Sequence, residues 1–177
     1  GAVIFDLLRE AYSHKLTITV RVDDRAIVKK GDEIAVLAGP MQLLLGIERT
    51  LLNFLQRLCG VATLTRKYVD AVEGTQSRIY DTRKTIPGWR QLDKYAVRCG
   101  GGRNHRMGLH DAILVKDNHL AGVGVGALAA TVSDMLREAA TLSPPPEFIE
   151  VEVDTIEQLE EVFRVSGVDV ILLDNFT

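Results

Sequence analysis

At 177 residues, with 46% hydrophobic and 25% charged side chains, the chain has room for one good core, or for one domain and part of another, and this composition excludes wholesale disorder. A net charge of −3 argues against a general nucleic-acid binder, and no apolar run approaches the roughly 20 residues of a membrane span. The opening GAVIFDLLREAYSHK lacks a basic stretch followed by an apolar one, and two cysteines, Cys59 and Cys99, make neither a disulfide framework nor a zinc site, so a reducing cytosol is the expected setting.

The first 40 residues read as β-rich. KLTITVRVD (15–23) alternates Leu16, Ile18, Val20 and Val22 with polar partners, the period of a half-buried strand. AIVKKGDEIAVLAGP then reads as a strand, a Lys-Gly-Asp turn and a second strand ended by Gly39-Pro40. From Met41 the period becomes helical: Leu44, Ile47, Leu51, Leu55 and Leu58 lead to Gly60, the expected C-cap, and a second helix is expected from 62 to 72, ended by Gly74.

Beyond Gly74 strands and helices alternate. SRIYDT, DAILVKD, FIEVEVDT and VDVILLDN are expected strands; WRQLDKYAVRC, GALAATVSDMLREAATL and IEQLEEVFRVSG are expected helices. This βαβαβαβ order calls for a parallel sheet with right-handed crossovers, and the Val/Ile/Leu-rich runs suit strands covered on both faces. Four such strands make half a barrel or a small open sheet, so the chain reads as a piece of a longer protein.

The charge is unevenly placed. Between Arg78 and Lys116 stand nine basic residues and three acids, leaving that segment +6 and the remainder −9. Such a concentration suits a small anionic ligand better than a solvated basic face. In parallel α/β folds functional groups gather at the C-terminal ends of strands. Here those ends carry Asp81-Thr82-Arg83-Lys84, Lys116-Asp117-Asn118-His119, the carboxylates Glu150, Glu152 and Asp154, and Asp174-Asn175. Two strands thus bring cations and two bring carboxylates to one expected rim. The three carboxylates alternate with Val151 and Val153 and share one side of their strand, where a divalent cation or opposing cations would offset burial; the alternative is an outward acidic surface. CGGGRNHRMG (99–108) is a weak phosphate-loop signal, because it follows a helix and matches neither common phosphate-binding pattern, but His105-Arg106 within it can form a paired donor to a planar carboxylate. Arg49 is a guanidinium on an otherwise apolar helix, beside Glu48.

With those residues in view, the sequence resembles the quinolinate phosphoribosyltransferase family. The resemblance rests on ERTLLNFLQRLCGVATLT (48–65), DTRKTIPGWRQLDKYAVRCGGGRNHRMGLHDAILVKDNHL (81–120), EVEVDT (150–155) and ILLDNF (171–176), in order and at kept spacing. It implies an α/β fold: the later part of an N-terminal α/β sandwich domain at 1–52, followed at 53–177 by the first part of an open, TIM-like α/β barrel of the type II phosphoribosyltransferases. It implies transfer of phosphoribose from phosphoribosyl pyrophosphate to quinolinate with decarboxylation, for NAD biosynthesis, by a cytoplasmic homodimer that engages no nucleic acid and no membrane.

Residue by residue, the resemblance assigns Arg83, His105, Arg106 and Lys116 to the two carboxylates of quinolinate, with Thr82 in support. It assigns Lys84 to phosphoribosyl pyrophosphate, and Glu152 and Asp174 to the ribose hydroxyls and Mg²⁺. Lys84, Lys116, Glu152 and Asp174 would carry the catalysis, and Arg49 would enter the partner subunit's site. The family's glycine-rich segments for the ribose 5-phosphate lie beyond LLDNF, so the 177 residues alone are expected to be inactive. Rival readings are a nicotinate phosphoribosyltransferase, which handles one carboxylate; a paralogue associated with molybdate transport, against which the intact KDNH of 116–119 counts; and a non-catalytic anion-binding domain.

Overall fold

The computed structural model describes residues 2–176, and the chain divides into two compact units, residues 1–105 and 106–177. The first unit opens with a helix, α1 (Val3–Tyr12), in a stretch read as β-rich. Its sequence VIFDLLREAY buries Ile4 and Phe5 on one face and keeps Asp6, Arg9 and Glu10 in water, an amphipathic pattern with helical period. Strand β1 (Thr17–Val20) pairs antiparallel with β2 (Ala35–Ala38), Thr17 opposite Ala38 and Val20 opposite Ala35. The strand expected around Ile27 does not form: Ile27 is 89% exposed, and the segment turns instead through Lys29, whose N–H donates to the Asp32 carboxylate at 2.6 Å, and Gly31 at φ +98°. No apolar face covers it, so nothing offsets the cost of ordering it as a strand.

Helix α2 (Met41–Ala71) is continuous where two helices were expected. Gly60 does not end it, because Gly60 stays in ordinary helical conformation and the buried stripe Ile47, Leu51, Leu58, Thr65 runs on past it. Leu51, Phe54 and Leu55 pack with Ile4, Phe5, Ile18, Val20 and Leu37 as the core of the first unit. The expected domain boundary at residue 52 falls inside this helix.

Helix α3 (Arg90–Cys99) follows. The strand expected at SRIYDT is reduced to a single parallel bridge between Tyr80 and Arg103. The reason lies in its partner segment: the Gly102 N–H is engaged by the Val97 carbonyl at 3.0 Å at the end of α3, so pairing is left to Arg103, whose N–H reaches Ile79 O at 2.8 Å while its carbonyl accepts from Asp81 N–H at 3.1 Å.

The second unit is a three-stranded parallel sheet in the order β3 (Ile113–Val115), β4 (Ile149–Val153), β5 (Val170–Leu173), with α4 (Val125–Ala139) and α5 (Ile156–Phe163) as its crossovers. The expected four-stranded sheet is therefore three-stranded among the described residues. Register places Val115 beside Val151, and Glu152 beside Leu172. Val115, Val151 and Val153 pack on Leu128, Val132 and Val162 of the two helices. As the central strand, β4 is buried on both faces, so Glu150 and Glu152, opposite the core valines in the pleat, are 4% and 9% exposed; the outward acidic surface is excluded for these two, while Asp154, past the strand end, is exposed.

Candidate active site

The TRKT segment is held from behind by groups to which the sequence reading gave no separate role. Asp81 is the hub. Its carboxylate accepts from Lys94 Nζ, from Asn104 Nδ2 and, at 2.9 Å, from the His105 N–H. Lys94, 1% exposed, also donates to the His105 carbonyl at 2.8 Å, and Asn104 Nδ2 donates to the Lys94 carbonyl at 2.9 Å. One buried carboxylate therefore ties the residue before Thr82-Arg83-Lys84 to the loop that carries His105.

A second brace works further along the loop. Thr82 Oγ1 accepts from Lys84 N–H at 3.1 Å, closing a tight turn in which Thr82 and Lys84 are exposed and Arg83 is half-buried. Arg90, on the first turn of α3, reaches Thr85 Oγ1 at 3.4 Å and the Arg83 carbonyl at 3.5 Å. Trp89 stacks on Phe54 with ring centroids 4.8 Å apart, beneath the Arg57 guanidinium at 5.0 Å, and Arg57 forks onto both oxygens of Asp93 at 2.9 Å. The loop is pre-set by packing on both sides, which is what a site that only positions and neutralises requires.

The glycine-rich stretch does something other than cradle phosphate. Gly101 sits at φ +91°, its N–H donating to Arg98 O and that of Gly102 to Val97 O, both at 3.0 Å, the paired bonds of a Schellman helix end. A Cβ on Gly100 would stand 2.4 Å from the Ala62 carbonyl oxygen, so this glycine lets α3 close on α2.

In the second unit, Arg106 is 7% exposed and donates to the Ala112 carbonyl at 3.0 Å, while Asp111 accepts from Met107 N–H and Gly108 N–H at 2.5 and 3.2 Å. Lys116, at the end of β3, lies 3.6 Å from Glu152 of β4. The turn Asp117–His119 after it is closed by Lys116 N–H donating to His119 Nδ1 at 2.9 Å. Asp174 follows β5, where its N–H donates to the Val153 carbonyl at 3.0 Å. Asp117, Glu152, Asp154, Gly122 and Gln158 line a cavity of about 250 Å³ at this strand-end rim. Thr155 caps α5 by accepting from Gln158 N–H at 3.3 Å, and Gln158 Oε1 accepts from Asp154 N–H at 2.7 Å, so the cavity floor is fixed by a near-reciprocal cap.

The candidates thus fall into two described groups. Thr82, Arg83, Lys84 and His105 hang on Asp81 and its neighbours in the first unit; Arg106, Lys116, Glu152 and Asp174 belong to the second, where the last three share the rim of the β3–β4–β5 sheet. Arg49 stands apart, exposed on α2 and, among the described residues, not ion-paired with Glu48. Lys94 and Asn104 went unmarked and Asp81 was given no role of its own; on α3 the charged Asp93 and Lys94 are buried beside Ala96.

Comparison with known proteins finds relatives over nearly the whole chain. The model of the quinolinate phosphoribosyl transferase N-terminal domain matches residues 4–59, and that of the C-terminal domain residues 61–177. The chain is 47% identical over 152 residues to the probable nicotinate-nucleotide pyrophosphorylase (carboxylating) of Bacillus subtilis, covering 86% of this chain and 50% of that protein. It is 46% identical over 159 residues to the corresponding protein of Mycobacterium leprae, covering 90% of this chain and 53% of that one. The crystal structure of NadC from Streptococcus pyogenes superposes with a TM-score of 0.87 at 37% identity, over 100% of this chain and 60% of that one. The chain spans about half the length of these curated relatives, and its mixed helices and strands are those of the type II phosphoribosyltransferase fold.

Proposed function

Because this chain belongs to the quinolinate phosphoribosyl transferase family, we propose that the protein transfers phosphoribose from phosphoribosyl pyrophosphate to quinolinate and releases CO₂ and pyrophosphate, giving nicotinate mononucleotide for NAD biosynthesis. The observation that carries the reading is the match to both family domains over residues 4–59 and 61–177, on a chain that keeps the cations Arg83, His105, Arg106 and Lys116. Those four are assigned to the two ring carboxylates, which need several converging donors, and Arg106, already buried, loses little further hydration in binding one.

The ring nitrogen attacks the anomeric carbon of the phosphoribosyl group as the bond to pyrophosphate breaks. The sugar gains oxocarbenium character, which a nearby carboxylate stabilises; Glu152 and Asp174 are assigned to the ribose, and Lys84 to the phosphates. The new bond leaves the ring nitrogen positive. That charge stabilises the electron pair left on the ring carbon as the adjacent carboxylate departs as CO₂, and a proton then takes up that pair. No protein nucleophile is needed.

Mg²⁺ fits these residues. Glu152 of β4 and Asp174, just after the neighbouring parallel strand β5, offer hard oxygen donors, the ligand type an ion would share with substrate phosphates and water. When bound, it would neutralise charge on the departing pyrophosphate.

Homodimer formation through α2 belongs to the same reading. Exposed Met41, Leu45 and Leu52 flank Arg49 at helical spacing, giving an apolar stripe with one guanidinium in it, and a second copy bearing an anion-binding site is the occupant that uses both features. No described helix is long and apolar enough to cross a membrane, and Cys59 and Cys99 are free. The test uses protein spanning the family's full length with Mg²⁺ and phosphoribosyl pyrophosphate. CO₂ and mononucleotide in step with quinolinate are expected; product from nicotinate without CO₂ moves the protein to the one-carboxylate activity, and no product from either favours an anion-binding domain.

A further inference from the structure

The buried ion pair beneath the TRKT loop has a geometry that stability alone does not require. A buried pair is commonly no better for stability than apolar residues of equal volume. Here each bond of the cluster ends on a group that carries or flanks a candidate ligand of substrate. Asp81 immediately precedes Thr82-Arg83-Lys84. Asp81 Oδ1 takes the N–H of His105 at 2.9 Å and Lys94 Nζ takes its C=O at 2.8 Å, so both peptide groups of one residue are gripped by the two halves of one ion pair. Asn104, next to His105, closes the cluster by donating to Asp81 and to the Lys94 carbonyl. With both sides of its Cα fixed, His105 has only its side-chain torsions left, so the directions its ring can take are narrowed before any ligand arrives.

We propose that Lys94, Asp81 and Asn104 form a positioning device that sets His105, and the adjoining Arg83, for a planar dicarboxylate. The assignment rests on the reaction class proposed above for its ligand, but the clamp on His105 stands on geometry alone. Lys94 acts through His105 and touches no substrate.

The experiment uses full-length protein and two variants: Asn104→Ala, which leaves the ion pair intact, and the double variant Asp81→Asn/Lys94→Met, which removes both charges together and so leaves no buried charge unpaired. Binding of quinolinate alone and of phosphoribosyl pyrophosphate alone is measured by calorimetry, with thermal unfolding alongside and ¹H–¹⁵N correlations of the imidazole rings. Expected is a loss of quinolinate affinity of about tenfold or more in both variants, the effect of one or two misplaced hydrogen bonds. Affinity for phosphoribosyl pyrophosphate should hold within about twofold. The His105 ring signals should move while those of His14 and His119 stay. Folded variants that bind quinolinate like wild type with His105 unmoved would overturn the proposal, as would equal losses for both ligands tracking a fall in Tm. If wild type itself binds no quinolinate, the reaction class falls, and the ring signals alone decide the clamp: moved, it stands; unmoved, it falls.

Discussion

Glu152 and Lys116 sit 3.6 Å apart on neighbouring strands, Glu152 only 9% exposed. Each neutralises the other, yet the proposed reaction gives them different partners, a ribose for Glu152 and a carboxylate for Lys116. Glu152→Gln keeps the shape and removes the charge. Its kcat should drop by about a hundredfold or more, while quinolinate binding measured alone stays the same or tightens, because Lys116 loses a competitor. Weaker quinolinate binding with kcat intact would reverse the two assignments. Tyr95 gives a prediction in pH. Burial first, and then its hydrogen bond to Asp24, raise its phenol well above the ordinary range. The folded state thus holds the proton more tightly than the unfolded one, so this contribution is complete below about pH 10 and is lost as pH rises beyond it. Urea unfolding should show stability falling above that point, and Tyr95→Phe should flatten the fall; an unchanged slope would discard the phenol as its source. Lys116 could be placed at a strand end from sequence because that placement is a local feature. The joint role of Asp81, Lys94 and Asn104 could not be read in this way, because it is set by three segments meeting, Tyr80-Asp81, α3 and the Arg103–His105 loop, and no periodicity encodes that meeting.

At the scale of elements, glycine shows what one sequence can and cannot reveal. Gly60 was expected to end a helix and instead lies within α2, with nothing within 4 Å of where a Cβ would be. Gly60→Ala should stabilise the full-length protein by about 0.5–1 kcal/mol through helix propensity alone. Gly100→Ala should cost about 1–3 kcal/mol by overpacking, since its Cβ would meet backbone of α2 at 2.4 Å. Chemical unfolding of both variants checks the contrast; equal effects would mean that α2 and α3 do not close in the way described. The alternating helices and strands of the second unit were legible because each carries its own hydrophobic period between Gly or Pro stops. The Tyr80 strand was not, because strand formation depends on the partner's free N–H groups, and here the helix end had taken one. Helix α1 was overlooked for a simpler reason: its run of Val, Ile, Phe and Leu suits a strand as well as a helix until the charged positions are counted by turn.

For the whole molecule, the proposed cross-subunit role of Arg49 makes a prediction about mixed dimers. Arg49 is exposed, flanked by Met41, Leu45 and Leu52 on the same face. If it served its own subunit, an Arg49→Ala protein would be beyond rescue by any second chain that lacks Arg83. If it serves the partner, the two defects are complementary. In a mixed dimer of Arg49→Ala and Arg83→Ala subunits, one site keeps its own Arg83 and receives Arg49 from the neighbour, whereas the other site has lost both. Random exchange makes half the dimers mixed, so activity should recover to roughly a quarter of the wild-type level although each parent is nearly inactive. Light scattering and differently tagged subunits would confirm that exchange has occurred. Mixed dimers with no gain would place Arg49 outside the partner's site and leave the apolar stripe as simple subunit packing.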